Sequence, residues 1–484
     1  MKDYLSMSIY ELHELIIKGE VTPLQLVTLA IEKAKNDNNN AFECILEKEA
    51  IEAVNALDEN KKNNLLWGVP YVLKDNFVTK DILTTASSNI LRNYIPTFSS
   101  EVYLRLKEQG AILIGKTTLD ELAMGGSGSS GHLGKTYNPW DKTHQRMVGG
   151  SSSGSAASCA AGIVPFAIGS DTGDSARKPA SYASLVGLKP TWGRISRFGL
   201  IPFAPSFDHV GFFARNITDS AIVLSALAGF DEKDLTSSKQ PVDDYLSKID
   251  RNVKGLKIAV IDEIYNSISN QNIREMFNSL VDKLKEKGTI INHVSIDINL
   301  CRAIYPTYII LSSAEAISMT ANLDGVKFGV REDGNDFSEI AKNTRTKNLS
   351  KQTKYRLLVG GYASEKDNQE EVLLKAQKCR RLFTDHINKI LKENDLILLP
   401  SAPSGAPLFD AKIDKLSDEY LIADNLMSVA NFGGHPSLSL PLGFDNDLPF
   451  GVNITGRLFD ESSVFTLGKT IEDITGLKNL VADK

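Results

Sequence analysis

Cysteine is scarce in this chain, and its apolar runs are short. There are four cysteines in 484 residues, with no Cys-x-x-Cys pair and no histidines at zinc spacing. Neither a disulfide framework nor a metal site is therefore predicted. No apolar run approaches the roughly 18 residues of a membrane-spanning helix, and the N-terminus lacks the apolar stretch of a signal peptide. We expect a soluble, cytoplasmic protein.

An excess of basic charge is also missing. The chain has 54 Lys and Arg against 60 Asp and Glu, a net charge of −6. A protein that grips nucleic acid over its whole surface needs the opposite balance, so such contact is expected only through a local patch or a partner. One basic cluster is more typical of a solvated helix face than of a tRNA contact: Lys375, Lys378, Arg380 and Arg381.

The residues that are present suit one large folded domain. Apolar residues make up 42% of the chain and charged residues 24%, an ordinary balance for a protein with a sizeable core. Apolar periodicity predicts two helices within residues 8–36, then strands such as 67–73 and 395–400 alternating with helices. No Pro- or Ser-rich linker divides the chain. We predict an α/β fold over residues 1–484, with a mainly parallel or mixed sheet and helices on both faces.

Two stretches are expected to be irregular. Residues 175–219 contain several Gly and Pro and are predicted to run as loops over the functional face. Residues 329–370 are polar and charged, which favours an insertion or a mobile helical excursion. A long helix is predicted directly after them, at about 371–391.

One Gly- and Ser-dense segment, residues 149–177, has the sequence GGSSSGSAASCAAGIVPFAIGSDTGDSAR. Glycine-rich loops let backbone N–H groups converge on one point, and a hydroxyl such as Ser175 at the end of such a loop can be a nucleophile beside an oxyanion hole. Composition alone favours a pair of flexible surface loops. Residues 150–154 fit the G-x-S-x-G nucleophile elbow, but a poor strand precedes them and no downstream histidine has a persuasive context. Cys159 is predicted to be a core packing residue.

This segment resembles the signature of the amidase signature family. Nearly the whole chain is similar to the A subunits of glutamyl-tRNA(Gln) amidotransferases, from SIYELHELIIKGEVTPLQL at Ser8 to LPFGVNITGRLFDE at Leu448. The resemblance implies a single large α/β domain with a mixed, twisted central sheet and helices on both faces. Its signature core would occupy about residues 65–220, after N-terminal helices at about 8–36.

The resemblance also implies a catalytic Ser–Ser–Lys relay. Lys74, in GVPYVLKDNF, matches the family's lysine, Ser151 the bridging serine that follows a cis peptide bond, and Ser175 the nucleophile. A lysine that accepts a proton must be buried, because desolvation lowers its pKa, and the apolar strand before Lys74 can supply that burial. Outside the family context, such a lysine is a surface residue with a buried stem, and Ser151 is part of a polar turn.

The implied oxyanion hole consists of backbone N–H groups around Thr172, Gly173 and Asp174. Two positions depart from the family pattern, since Asp174 and Ser153 stand where it has glycine. A side chain at position 174 limits the backbone φ, although Asp tolerates left-handed φ better than most residues. Its carboxylate would also oppose a developing oxyanion unless it points away. We expect an active enzyme whose activity these two positions can alter.

The resemblance implies L-glutamine as the substrate. Glutamine presents an α-ammonium and an α-carboxylate, so its site needs an acid and a base at a fixed distance. Asp424 matches the family's aspartate for the α-amino group, Arg356 its arginine for the α-carboxylate, and Tyr308 a tyrosine of the same pocket. Glu121 resembles a glutamate near the entrance of an ammonia channel. Taken singly, each also fits an ordinary structural role, such as an ion pair or a core aromatic.

The implied partners are the B and C subunits of an amidotransferase. In the family, glutamyl-tRNA is activated with ATP and Mg²⁺ by the B subunit, which also receives the ammonia. This chain has no Walker-type GxxxxGK[ST] loop, which fits ATP binding by a partner. Two alternatives stay open: a free-standing amidase with another substrate, which would not need the Asp424 and Arg356 pair, and a scaffold subunit whose oxyanion loop is impaired by Asp174.

Overall fold

The chain begins with two helices whose starts are specified by their own residues. In the computed structural model, which describes residues 3–482, α1 runs Ile9–Lys18 and α2 runs Pro23–Lys35. Both start with a capping box, formed in α1 by Ser8 and Glu11, whose side chains bond each other's backbone N–H. The predicted pair of N-terminal helices is confirmed.

In the described part of the chain, residues 3–482, eleven strands form one sheet, in the order β1-β3-β2-β4-β6-β5-β10-β11-β9-β7-β8. Neighbours are parallel at four junctions and antiparallel at six. The predicted mixed sheet is therefore confirmed. The strands are β1 (Phe42–Ile45), β2 (Pro70–Lys74), β3 (Ile112–Thr117), β4 (Phe166–Asp171), β5 (Val186–Lys189), β6 (His209–Ala214), β7 (Lys257–Ile261), β8 (Ile290–Val294), β9 (Leu396–Pro400), β10 (Ser437–Asp445) and β11 (Leu448–Gly456).

Further helices pack around this sheet. Within residues 3–482, no helix is both long enough and apolar enough to cross a membrane. The helices are α3 (Glu47–Asn55), α4 (Glu101–Glu108), α5 (Ser153–Ala160), α6 (Arg177–Tyr182), α7 (Ile217–Leu227), α8 (Tyr245–Lys248), α9 (Asp262–Asn266), α10 (Gln271–Glu286), α11 (Ile298–Arg302), α12 (Ile304–Thr320), α13 (Phe337–Asn348), α14 (Lys351–Ser364), α15 (Lys375–Glu393), α16 (Ser428–Gly433) and α17 (Glu461–Thr475). Short 3₁₀ segments lie at Tyr4–Ser6, Glu59–Lys61, Asn89–Leu91 and Glu121–Ala123, and π-helical turns at Gln369–Leu374 and Glu419–Ala423.

The sheet separates two apolar cores. Successive side chains of a strand point to opposite faces, and in β2 the buried Tyr71 and Leu73 belong to one core while Val72 belongs to the other. The first core contains apolar residues of α7, α10, α15 and α17, and the second those of α1, α2 and α5. Helices therefore cover both faces, as predicted.

The prediction of loops over residues 175–219 is right for residues 190–208, which lie between β5 and β6 and carry only isolated bridges, but it is wrong for much of the remainder. This stretch holds α6, β5, β6 and the start of α7. Its glycines are not all turn residues: Gly187 lies inside β5, and a Cβ there would collide with the Ala176 carbonyl just before α6. A strand glycine can mark the close approach of another backbone segment as well as a turn, and here it lets the start of α6 pack closely on the sheet.

The polar stretch 329–370 forms helices α13 and α14, so its helical character is confirmed. The following helix, α15, matches the predicted long helix. Its basic cluster is only partly a solvated face, because Arg380 is half-buried. The Arg380 guanidinium donates to the carbonyls of Phe432 (3.0 Å) and Ser206 (2.9 Å). The prediction of a solvated face is therefore wrong for Arg380, which has a structural role between α15 and its neighbours.

Candidate active site

Two strand ends and two loops converge at the candidate site. Because β2 and β4 are parallel neighbours, Lys74 at the end of β2 and Ser170 near the end of β4 lie at the same edge of the sheet. Ser151 and Ser152 directly precede α5, and Ser175 lies between β4 and α6. The Ser152 N–H donates to the Ser175 carbonyl (3.3 Å), which joins the two loops.

Lys74 is the centre of this cluster and is completely buried, with an exposed fraction of 0%. Its Nζ lies 2.7 Å from Ser151 Oγ, 2.9 Å from Ser152 Oγ and 2.9 Å from Ser170 Oγ. Sequence reasoning singled out Ser151 but missed the other two. Ser152 could have been found from its place beside Ser151, whereas Ser170 becomes evident only when β4 is placed next to β2.

The surroundings of Lys74 favour its neutral form. Burial lowers the pKa of the Lys74 ammonium to about 7, although the carboxylates of Asp120, Asp171 and Asp208 act in the opposite direction. An ordinary lysine has a pKa of about 10.4, so a large share of Lys74 is an amine at neutral pH. Such an amine can accept a proton. The peptide bond between Gly150 and Ser151 is cis, the feature that the family resemblance implies.

The loop that carries Ser175 is anchored by a buried ion pair. Arg177 Nη2 lies 2.9 Å from Asp171 Oδ1 and also donates to the Gly173 carbonyl (2.8 Å). Although burial opposes ionisation, the Arg177 guanidinium holds the pKa of the Asp171 carboxyl well below its usual range. Ser175 itself is 3% exposed. The nucleophile candidate therefore sits on a rigidly held backbone.

Backbone N–H groups are available beside Ser175. Among the described residues, none accepts a hydrogen bond from the N–H of Thr172, Gly173, Asp174 or Ser175. The Tyr308 ring covers this loop so closely that a Cβ at Gly173 would lie 2.8 Å from it, so a larger residue there would require the ring to move. These four free donors are what an oxyanion hole requires.

Neither departure from the family pattern disturbs the backbone. Asp174 has a φ outside the left-handed region, so its side chain introduces no strain of the kind that favours glycine. Its Oδ2 lies 2.9 Å from the Lys178 ammonium. Burial raises the pKa of the Asp174 carboxyl, and Lys178 opposes that rise. Ser153 is buried in the first turn of α5, with its Oγ 3.1 Å from Thr136 Oγ1.

Arg356, on α14, is a buried cation without an acidic partner. It is 6% exposed, and none of the arginine ion pairs among residues 3–482 includes it. Its Nη1 donates to Ser312 Oγ (3.3 Å), while its Nε has no hydrogen-bond partner in the described chain. Its guanidinium carbon lies 5.4 Å from the centre of the Tyr308 ring and 5.6 Å from that of Phe203.

Asp424 lies on another side of the same loop. Its Oδ1 is 3.2 Å from the ammonium of Lys178, the residue that also pairs with Asp174. Asp424 and Lys178 line an open cavity of about 440 Å³ together with Tyr182 and Tyr420. Arg356 thus contacts Tyr308, which covers Gly173. Asp424 contacts Lys178, which pairs with Asp174.

Glu121 is buried and accepts hydrogen bonds at the start of α14. Its Oε2 accepts from the Ser350 N–H (2.8 Å) and Thr353 Oγ1 (2.5 Å), and its Oε1 from Ser88 Oγ (2.5 Å). Glu121 therefore holds the first turn of the helix that carries Arg356. Its role at a channel entrance stays a prediction.

Replacing Glu121 by alanine should loosen α14. The change leaves three donors without their acceptor, two buried and one partly buried, which costs about 2 kcal/mol per hydrogen bond to a charged group. We expect amide hydrogen exchange in residues 351–364 to become at least about thirty-fold faster. Asp336→Ala is the matched control, since it removes the N-cap of α13 instead. Unchanged exchange in α14 would contradict the anchoring role.

Two remaining predictions concern cysteine and metal. Cys159 is unpaired and fully buried, as predicted for a packing residue. Across residues 3–482, no three His, Cys, Asp or Glu side chains are grouped so that they could hold a metal ion.

The chain is similar to known proteins over nearly its whole length. The amidase family model matches residues 25–465. The A subunit of the glutamyl-tRNA(Gln) amidotransferase from Pediococcus pentosaceus is 37% identical over 479 residues, which cover 98% of this chain and 97% of that protein. Its counterpart from Persephonella marina is 37% identical over 484 residues, 98% of either chain.

Solved structures show a similar fold. The crystal structure of the glutamyl-tRNA(Gln) amidotransferase A subunit from Thermotoga maritima is 33% identical and superposes with a TM-score of 0.83, over 100% of this chain and 99% of that one. A peptide amidase from Stenotrophomonas maltophilia shares the fold with a TM-score of 0.84 at 23% identity, over 99% of both chains. With a family model over most of its length and relatives this similar from end to end, the chain belongs to the amidase family and, within it, to the glutamyl-tRNA(Gln) amidotransferase A subunits.

Proposed function

We propose that the protein is the glutaminase subunit of a tRNA-dependent amidotransferase. It would hydrolyse L-glutamine and supply ammonia for converting Glu-tRNA(Gln) to Gln-tRNA(Gln). The observation that carries this proposal is the buried, unpaired guanidinium of Arg356 beside Tyr308, which covers the loop of Ser175. A free-standing amidase for neutral amides has no use for such a cation.

The charge of Arg356 calls for an anionic substrate group. Burying a guanidinium without a counter-charge is unfavourable, and a bound carboxylate restores two charge-assisted hydrogen bonds in a forked geometry. Asp424, which reaches the same loop through Lys178, supplies the opposite charge for an α-ammonium. Glutamine carries both groups on one carbon, so its side-chain amide would extend from them towards Ser175.

The hydrogen bonds around Lys74 support a defined proton path. Ser152 Oγ donates to the Ser170 carbonyl (2.9 Å), so it can only accept from Lys74. Ser170 Oγ accepts from Asn76 Nδ2 (3.0 Å) and from Lys74. A neutral Lys74 that gives its two hydrogens to Ser152 and Ser170 directs its lone pair at Ser151. Lys74 would then take the Ser151 proton while Ser151 takes the proton of Ser175.

The proposed reaction is acyl transfer in two halves. Ser175 Oγ attacks the glutamine side-chain carbonyl carbon, and the N–H groups of residues 172–175 bind the resulting oxyanion. The C–N bond then breaks, the departing nitrogen receives the relayed proton, and ammonia leaves. Water next attacks the carbonyl carbon of the Ser175 ester and passes a proton along the same path to Lys74. The bond between that carbon and Ser175 Oγ then breaks, Oγ takes the proton back through the relay, and glutamate leaves.

We also propose the family's assembly for this chain. Its relatives are named as the A subunits of an amidotransferase, which supports a multi-subunit complex. The B and C subunits would be its partners, with glutamyl-tRNA, ATP and Mg²⁺ bound by the B subunit, in the cytoplasm. No cofactor is assigned to this chain.

Ammonia release tests the proposal directly. The assembled complex should release ammonia from L-glutamine and much less from a simple amide such as propionamide. Arg356→Met should lower kcat/KM for L-glutamine by about 10–100-fold, the loss of a charge-assisted hydrogen-bonded pair. The same variant should leave hydrolysis of 4-aminobutanamide, which lacks the α-carboxylate, nearly unchanged.

Three outcomes would contradict parts of this proposal. Preference for propionamide would favour the free-standing amidase. Equal losses on both substrates would remove Arg356 from carboxylate recognition. An intact complex that releases ammonia from no amide would favour the scaffold role.

A further inference from the structure

A single lysine ammonium lies between two carboxylates beside the candidate nucleophile. Lys178 is 7% exposed, and its Nζ lies 2.9 Å from Asp174 Oδ2 and 3.2 Å from Asp424 Oδ1. It also donates to the main-chain carbonyl of Asp424. The three side chains form one contiguous charged group, which we call the 174–178–424 cluster.

The cluster arises from both local and distant contacts. Asp174 and Lys178 are four residues apart across the start of α6, and the N–H of Lys178 donates to the Asp174 carbonyl (2.8 Å). Asp424 follows the π-helical turn Glu419–Ala423 and is 246 residues away from Lys178. The loop next to Ser175 is thereby tied to the residue proposed to bind the substrate's α-ammonium.

The net charge of the cluster decides what it can bind. Although burial favours neutral Lys178, the carboxylates of Asp174 and Asp424 outweigh it and hold the lysine's pKa well above its usual value. With both carboxylates ionised the cluster carries one net negative charge. Lys178 paired with Asp424 alone would be neutral and would leave no charge for an ammonium. Two carboxylates without Lys178 would place two negative charges next to the developing oxyanion.

We propose that Asp174 and Lys178 act together as the specificity-determining pair for the substrate's α-ammonium. Lys178 shields the oxyanion loop from the Asp174 carboxylate. Asp174 in turn offsets the charge of Lys178, so that Asp424 keeps an unbalanced negative charge facing the cavity. The α-ammonium completes a cluster of two anions and two cations. This inference rests on the proposed glutaminase function.

A comparison of two substrates isolates the α-ammonium. L-Glutamine and 4-carbamoylbutanoate differ only in that the second has hydrogen in place of the ammonium. The assembled complex is assayed for ammonia release with four variants of this chain: Asp174→Asn, Lys178→Gln, the double variant, and Lys469→Gln. Lys469 is the matched control, because it also lies between two carboxylates, Glu472 and Asp473, but on α17.

Each variant has a distinct expected result. Asp174→Asn neutralises the cluster, so KM for L-glutamine should rise about tenfold or more while KM for 4-carbamoylbutanoate stays the same. Lys178→Gln leaves two unshielded carboxylates, so kcat should fall about tenfold for both substrates. The double variant restores one net negative charge on Asp424 and should recover to within about threefold of wild type. Lys469→Gln should match wild type.

The outcomes separate the inference from the function it rests on. Suppose that wild type acts on L-glutamine. If Asp174→Asn then affects both substrates equally, or if the double variant shows the product of the two single losses, the inference is overturned while the proposed glutaminase function stands. If wild type acts on neither substrate, the proposed function fails and this inference with it. Thermal unfolding of each variant shows whether a single variant is misfolded. If one is, the recovery of activity in the double variant decides whether Asp174 and Lys178 act as a pair.

Discussion

Replacing Ser175 by alanine should abolish ammonia release from L-glutamine, with kcat lower by a factor of about 10⁴ or more. The change removes one oxygen, the atom that would attack the amide carbon and carry the acyl group. Ser175 is buried on a loop held by the Asp171–Arg177 ion pair, so the variant should keep the loop's shape. The measurement is steady-state ammonia release by the assembled complex.

A control variant tests whether any buried serine in this region would have the same effect. Ser158 is also fully buried, and its Oγ donates to the Ser155 carbonyl (3.1 Å) inside α5. Ser158→Ala should release ammonia at nearly the wild-type rate. Mass spectrometry after acid quenching should find a γ-glutamyl group on Ser175 in wild type. Steady release by Ser175→Ala would overturn its assignment as nucleophile.

Replacing Lys74 by methionine should lower kcat by about 10²–10⁴-fold, the range for loss of a general base. Wild-type activity should rise with pH and have its midpoint near pH 7. The sign follows from the lowered pKa, because burial lowers the pKa of Lys74 to about 7. The neutral amine, which accepts the proton, is the form that prevails above that pH. This rise should be absent from the variant's pH profile.

Ser151 offers the matching test of the relay. Lys74 Nζ and Ser151 Oγ are 2.7 Å apart, and groups that act as a unit lose their effect together. Ser151→Ala should therefore be impaired to a similar degree, and the Lys74→Met/Ser151→Ala double variant should be no worse than either single change. Multiplied losses, or a pH profile unchanged in Lys74→Met, would rule out a relay through these two residues.

Much of the fold was predictable because its signals are local. A capping box needs residues three positions apart, so Ser8 and Glu11 indicated the start of α1 correctly. Apolar runs such as 395–400 likewise identified buried strands. The loops predicted for 175–219 are correct over residues 190–208 but missed α6, β5 and β6. Gly187 shows why, because it has the same appearance in sequence whether it serves a turn or a close contact with the Ala176 backbone.

The sequence by itself indicated the helices and strands whose signals are local, such as α1 and β9, and its motifs singled out Lys74, Ser151 and Ser175. Only the tertiary structure decided the electrostatic state of the site. Lys74 meets three hydroxyls from positions 77 to 96 residues away, and Lys178 meets Asp424 across 246 residues. The physical reason is that a pKa or an ion pair depends on groups within a few ångströms, and the order of strands in the sheet sets those distances.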